Sequence, residues 1–149
     1  MLTKKSGLSK QLLSSLSPFA QVKRYFHTRK KMKEFTLIFR NSNHEGERPS
    51  PDQMQKVMQE WMSWMANISA KDQLADKGNR LAVTDSKTVH PGNLVTDGPY
   101  TEIKEFINGY IVVKTETLAG AVEIAKDCPI LKIGGNVEVR KVVTPDDNS

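Results

Sequence analysis

The stretch that decides the fold is VTDGPYTEIKEFINGYIVV, Val95 to Val113. It begins with the turn signal Asp97-Gly98-Pro99, in which glycine tolerates a positive φ and proline fixes the next dihedral angle. From Ile103 to Lys114, apolar side chains recur at nearly every second position, which is the period of a β-strand. The stretch therefore predicts a turn followed by one long strand.

The longest helix is predicted upstream, where Ser50-Pro51-Asp52-Gln53 forms a helix-start signature. Serine can cap the helix, proline fits its first position, and the glutamine completes a capping box. From Pro51 to Lys71, apolar residues recur every three or four positions. The predicted buried face comprises Met54, Val57, Met58, Trp61, Met65 and Ile68, widened by Met62 and Trp64. The alternative is that these Met and Trp side chains line a ligand pocket.

The remaining predicted elements complete an α+β order. Strands are predicted at Glu34 to Arg40, Leu81 to Thr84, Lys87 to Val89, Ile103 to Lys114 and Val137 to Val143, and a second helix, capped by Thr117, ends before Pro129. The turn His90-Pro91-Gly92-Asn93 closes a hairpin or a bent strand. This order predicts the β-α-β-β-α-β fold of ferredoxin-like domains, with two helices on one face of an antiparallel sheet.

The sheet face that the two helices leave uncovered also carries apolar side chains. Phe106, Tyr110 and Val112 fall on the second side of the long strand. Because an apolar face of this size is unfavourable in water, the pattern predicts a homodimer formed through the sheet.

The positive charge of the chain is concentrated at its start. The 149 residues include 22 Lys and Arg against 17 Asp and Glu, a net charge of +5. Nine of those cations precede the first acid, Glu34, so the remainder has a net charge of 22 − 9 − 17 = −4. An acidic body is repelled by phosphate backbones, which argues against direct binding of nucleic acid. The single cysteine, Cys128, and the lack of an apolar run of about 20 residues predict a soluble, cytoplasmic protein without disulfides.

The chain is expected to divide into a leader at residues 1–31, a domain at 32–144 and a tail at 145–149. The leader is basic and Ser-rich, with Leu8, Leu12, Leu16 and Phe19 at roughly helical spacing. One hypothesis is a transit peptide or a membrane-surface helix, which would direct the protein to an organelle. The alternative, favoured because the leader is poor in arginine, is a disordered extension upstream of a natural start at Met32.

Glu105 is the first candidate for acid/base chemistry. Strict alternation places it on an apolar strand face, where a carboxylate among aliphatic side chains suits proton transfer. The residues that share this face are Ile103, Ile107, Gly109, Ile111 and Val113. Gly109 would leave a space beside the carboxylate. Two alternatives stay open: an ion pair with Arg80 or Arg140, and a bulge at Gly109 that returns Glu105 to solvent.

Asp97 is the second candidate, either as a general base or as a turn residue that accepts backbone N–H bonds. Tyr100 and Tyr110 are candidate ligand-binding residues through their hydroxyl groups, together with Gly109, Arg80 and Arg140. His44 and His90 lack the spacing of metal ligands. Neither a metal nor another cofactor is predicted.

Several separate segments together resemble the YCII-related proteins, in the branch known for its DGPF motif. They are MKEFTLIFR, VTDGPYTEIKEFINGYIVV, AVEIAKDCPIL and GGNVEVR, and the resemblance covers about Met32 to Val143. It implies a dimeric ferredoxin-like α/β barrel. Some relatives look like lyases or dehalogenases that use a histidine on the first helix with a nearby aspartate, but the segment from Pro51 to Lys71 has no histidine. Members of the DGPF branch are often encoded near alternative sigma factors, and some carry names that refer to transcription initiation.

Two functional hypotheses result. The first is a small dimeric ligand-binding or accessory protein, linked by the resemblance to transcription initiation, with a cleft near Asp97, Glu105 and Tyr110. The alternative is a lyase- or isomerase-type enzyme that acts on a small organic acid, with Glu105 or Asp97 in proton transfer.

Overall fold

The computed structural model describes residues 30–42, 49–99 and 105–148. The chain divides into two units, Met1–Lys31 and Met32–Ser149, and all described helices and strands belong to the second. In chain order they are β1 (Lys33–Ser42), α1 (Pro51–Ala70), β2 (Leu74–Arg80), β3 (Lys87–Val89), β4 (Val95–Asp97), β5 (Glu105–Thr115), α2 (Leu118–Lys126) and β6 (Asn136–Lys141). Short 3-10 helices follow α2 and β6, at Pro129–Ile133 and Pro145–Asn148. None of the helices in these ranges is long and apolar enough to cross a membrane.

Four strands form one antiparallel sheet in the order β2-β5-β1-β6. This is the ferredoxin-like arrangement that the sequence predicts, because the units β1-α1-β2 and β5-α2-β6 interleave. β3 and β4 form a separate hairpin in the connection between β2 and β5. The hairpin predicted around His90-Pro91-Gly92-Asn93 is thereby confirmed.

The core lies between one face of the sheet and both helices, as predicted. Its buried side chains are Phe35, Leu37 and Phe39 from β1, Ile111 and Val113 from β5, Trp64 and Ile68 from α1, Ala121 and Ala125 from α2, and Cys128 and Ile130 beyond α2. The indole N–H of Trp64 donates to the carbonyl oxygen of Ile124 at 3.1 Å. This bond ties α1 to α2 above the sheet.

Both helices begin where the sequence predicts. The backbone N–H of Gln53 donates to Ser50 Oγ at 3.3 Å, and the backbone N–H of Ser50 donates to Gln53 Oε1 at 2.9 Å. The backbone N–H of Gly120 donates to Thr117 Oγ1 at 3.1 Å. These bonds satisfy N–H groups that have no partner inside the helix.

The predicted buried face of α1 is wrong for three methionines. Met54, Met58 and Met62 are 58%, 57% and 65% exposed, whereas Trp64 and Ile68 are buried. The helix therefore packs on the sheet along its Trp64 side. Its first turns run beyond the packed core, where Met54 and Met58 border an open cavity.

The predicted strand at Leu81 to Thr84 is also wrong, because the strand after α1 is β2 at Leu74–Arg80. β2 lacks apolar alternation because it is an edge strand whose pairing with β5 shifts register twice. At one shift Gly78 has a φ of +59°, and a Cβ there would lie 1.7 Å from the carbonyl oxygen of Tyr110. Only glycine fits this bulge.

Candidate functional site

A cavity of about 520 Å³ lies between the first turns of α1 and one end of the sheet. Its lining includes Phe39 and Asn41 from β1, Met54, Val57, Met58 and Trp61 from α1, Lys77 and Arg80 from β2, Gly109 and Tyr110 from β5, and Ile130 and Ile133 from the 3-10 helix after α2. Small-molecule sites in proteins measure about 300–1,000 Å³ and have mainly apolar walls with a few polar groups. The cavity fits that description in both size and composition.

Phe39 and Trp61, which line the cavity, belong to an aromatic cluster with Trp64. The ring centroid of Trp61 lies 4.9 Å from that of Phe39 and 5.4 Å from that of Trp64, in edge-to-face geometry. Because the bond from Trp64 to Ile124 anchors the cluster, Trp61 presents a fixed apolar surface. This surface suits a flat or aromatic ligand.

One buried polar atom in the wall has no partner. Asn41 lies two residues after Phe39 on β1, so both side chains are on the helix-facing side of the sheet. Asn41 Oδ1 is the one buried side-chain nitrogen or oxygen atom, among the described residues, that forms no hydrogen bond. A buried acceptor without a donor costs about 1–3 kcal/mol. Because Asn41 is a lining residue of the cavity, a ligand bound there is a candidate source of that donor.

The register between β1 and β5 changes beside the cavity. Phe39 is opposite Gly109, but the next residue, Arg40, is opposite Ile107, so Asn108 is an extra residue in β5. Such a bulge reverses the alternation of faces on its far side. The alternative of a bulge near Gly109 is confirmed.

The bulge places Glu105 on the sheet face that points away from the helices, so the prediction that it shares a face with Gly109, Ile111 and Val113 is wrong. There Asn136 Nδ2 donates to Glu105 Oε1 at 3.0 Å. Gly109 does not provide a space beside this carboxylate. A Cβ on Gly109 would lie 2.6 Å from the carbonyl oxygen of Asn79 and 3.2 Å from Arg80 Cα, so the glycine allows β2 to approach β5.

The other predicted site residues separate into two groups. Arg80, Gly109 and Tyr110 contribute to the cavity lining. Tyr110 is paired with Ile38, so its Cβ lies on the sheet face that points away from the helices. Asp97 lies on the hairpin, where its 91% exposed side chain accepts a bond from Lys87 Nζ.

Arg140 lies on β6, opposite Thr36, and its Nε is 3.8 Å from Glu138 Oε1. Tyr100 lies outside the described residues. The structure therefore does not bring Asp97, Glu105 and Tyr110 together in one cleft.

A comparison with protein-family models identifies the domain. The model of the YCII-related domain matches residues 32–145. The chain belongs to the YCII-related family. The DGPF branch stays a prediction, and no curated protein matches the chain. The match spans every element of the sheet and both helices, so the cavity lies wholly within the YCII-related domain.

The sequence did not single out several cavity residues of the YCII-related domain. Asn41 looks like the first residue of a loop, because polar residues follow it directly. Phe39 and Trp61 look like ordinary core residues. The available signal was the surplus of methionine and tryptophan on α1, which could indicate either a buried helix face or the lining of a pocket. Each interpretation holds for some of these residues, because Trp64 is in the core whereas Met54, Met58 and Trp61 line the cavity.

A second depression, of about 900 Å³, lies between the two helices of the YCII-related domain. In its lining, Glu123 Oε1 accepts a bond from Lys126 Nζ at 2.6 Å. Lys132 Nζ donates to Glu60 Oε2 at 2.9 Å. This bond lowers the pKa of Glu60 below its ordinary value. The indole N–H of Trp64, which also borders the depression, is bonded to Ile124. Among the described residues, the buried side-chain polar atom without a hydrogen bond belongs to Asn41 in the cavity beneath α1 and not to this depression, so that cavity is the better candidate site.

Cys128 is buried in the core, where it packs as an apolar residue. Burial raises the pKa of its thiol to about 11. Because the thiolate is the reactive form, we expect Cys128 to be unreactive in the folded domain.

Proposed function

We propose that this YCII-related domain is a ligand-binding module whose cavity takes up a small, largely apolar molecule that donates a hydrogen bond to Asn41. The observation that carries the proposal is the buried Asn41 Oδ1 without a partner, in a wall that also contains Phe39 and Trp61. The apolar wall would supply most of the affinity. The amide oxygen would fix the orientation of the ligand, because a molecule without a donor leaves it unsatisfied.

Binding is favoured over turnover because the two candidate carboxylates lie elsewhere. Glu105 accepts from Asn136 on the opposite sheet face, and Asp97 is paired with Lys87 on the hairpin. The alternative of a lyase- or isomerase-type enzyme with these residues in proton transfer therefore lacks a shared site. We expect Glu105→Gln and Asp97→Asn to leave ligand affinity unchanged.

The proposal is tested with toluene and para-cresol, which differ by one hydroxyl group. In the unaltered protein para-cresol should bind more tightly, by about two- to tenfold, because its O–H satisfies Asn41 Oδ1. In Asn41→Leu the difference between the two ligands should disappear. Asn67→Leu makes the same replacement at an exposed position of α1 and should retain the difference.

The two tryptophans of the chain provide the readout. The indole N–H resonance of Trp61, which lines the cavity, should shift more on titration than that of Trp64, which is bonded to Ile124. Absence of saturable binding, or an equal preference for para-cresol in Asn41→Leu, would show that the cavity is not the site described.

We also propose that the domain forms a homodimer through the sheet face that points away from the helices. Ile38, Tyr110 and Val112 are half-buried on this face, and Ile107 is 40% exposed. A second copy would remove these apolar side chains from water. Sedimentation analysis should show a dimer that Val112→Lys dissociates. Val89→Lys, at a 68% exposed position of β3, is the control and should stay dimeric; a monomeric unaltered protein would contradict the proposal.

The link to transcription initiation comes from the family resemblance alone and stays a prediction, as does a cytoplasmic location. The same holds for the hypothesis that residues 1–31 are a transit peptide. The intact mass of the protein from its natural source would show whether it begins before Met32.

A further inference from the structure

Two cations border the cavity on the side of β2. Arg80 is opposite Gly109 of β5, on the helix-facing side of the sheet. Lys77 lies in the bulge of β2. The bulge is fixed because the backbone N–H of Gly78 donates to Asp76 Oδ1 at 2.8 Å. Lys77 and Arg80 are therefore held at the rim by a defined backbone conformation.

Among the described residues, no acidic side chain neutralises the charge of Lys77 or Arg80. No carboxylate belongs to the described lining, and neither Lys77 nor Arg80 takes part in an ion pair between described residues. The neighbouring acid, Asp76, accepts the bond from Gly78 and is opposite Val112, on the other side of the sheet. The site thus combines apolar walls, one buried acceptor and a positively charged rim.

We propose that the ligand of this cavity is an amphiphilic anion, with an apolar body, a donor for Asn41 and a carboxylate that meets Arg80. The inference rests on the proposed function and specifies its ligand class. The guanidinium of arginine presents paired N–H donors whose spacing matches a carboxylate. Lys77 adds positive potential that attracts the anion to the cavity mouth.

The test compares para-cresol with para-hydroxybenzoate, in which a carboxylate replaces the methyl group. Because a carboxylate loses hydration on entering an apolar cavity, it lowers the affinity unless a cation receives it. We expect para-hydroxybenzoate to bind about three- to tenfold more tightly than para-cresol at low salt. The advantage should shrink as the ionic strength rises.

Arg80→Gln should remove this advantage and leave para-cresol binding unchanged. Arg140→Gln is the matched control, because Arg140 lies outside the cavity lining, and it should retain the advantage. Equal advantages in Arg80→Gln and Arg140→Gln would overturn the role of Arg80.

A second set of variants changes the charge of the cavity without altering β2. Met58 lines the cavity and Met62 does not, although both are exposed and lie one turn apart on α1. Met58→Glu should weaken para-hydroxybenzoate binding severalfold and Met58→Lys should strengthen it, whereas the same changes at Met62 should have much smaller effects.

Failure of the two proposals can be distinguished. If para-cresol binds but para-hydroxybenzoate has no advantage, and Met58→Glu and Met58→Lys behave alike, the anion inference is wrong and the binding function stands. If none of the three ligands binds, both proposals are wrong.

Discussion

Replacement of Asn41 by leucine should stabilise the protein without ligand. The two side chains are similar in size, and Asn41 Oδ1 forms no hydrogen bond that the substitution would remove. Removal of an unsatisfied buried acceptor should recover part of the about 1–3 kcal/mol that it costs. We therefore expect the free energy of unfolding to rise by about 1 kcal/mol or more, although the preference for para-cresol over toluene is lost.

Urea unfolding followed by tryptophan fluorescence measures this change, because Trp61 and Trp64 both lie in the aromatic cluster. The midpoint should rise at an unchanged slope, which indicates a change in stability rather than in the extent of unfolding. Asn67→Leu, at an exposed helix position, should change stability by no more than about 0.5 kcal/mol. If Asn41→Leu instead destabilises the domain by about 1 kcal/mol, Asn41 serves the fold and the argument for a ligand donor fails.

Three further predictions concern the structure around the site. Gly109→Ala should destabilise the domain by about 1–3 kcal/mol in urea unfolding, since its Cβ would meet the backbone of β2 at 2.6 Å; an unchanged midpoint would contradict the close approach. Ser50→Ala should cost about 1 kcal/mol through loss of the α1 capping box, and a loss below about 0.3 kcal/mol would show that the cap is dispensable. The thiol of Cys128 should lower stability as pH rises through the window from 9.0 to about 11, because the unfolded chain ionises first. The slope should approach about 1.4 kcal/mol per pH unit relative to Cys128→Ala, and identical pH profiles would refute it.

Most elements of the fold could be predicted from the sequence because each is indicated by residues within the element itself. The capping box at Ser50, the cap at Thr117 and the alternation in β5 each define an element without knowledge of the rest. β2 was missed because an edge strand with two register shifts keeps no alternation, and the bulge at Gly78 depends on the approach of Tyr110 in the neighbouring strand.

The candidate site was less accessible because it depends on pairing between distant segments. One extra residue, Asn108, reverses the faces of β5 and moves Glu105 away from the cavity, and alternation within a single strand cannot reveal it. Asn41 becomes significant only once its amide oxygen is seen to be buried without a donor. Arg80 was proposed both as a ligand-binding residue and as an ion-pair partner of Glu105; it lines the cavity, whereas Glu105 is on the other face of the sheet.

The most direct test of this binding site is a crystal structure of the protein soaked with para-hydroxybenzoate. We expect the ring of the ligand to lie against Trp61 in the cavity, its hydroxyl oxygen within about 3 Å of Asn41 Oδ1, and its carboxylate beside Arg80. A ligand bound elsewhere, with Asn41 Oδ1 bonded to a protein group, would contradict this expectation.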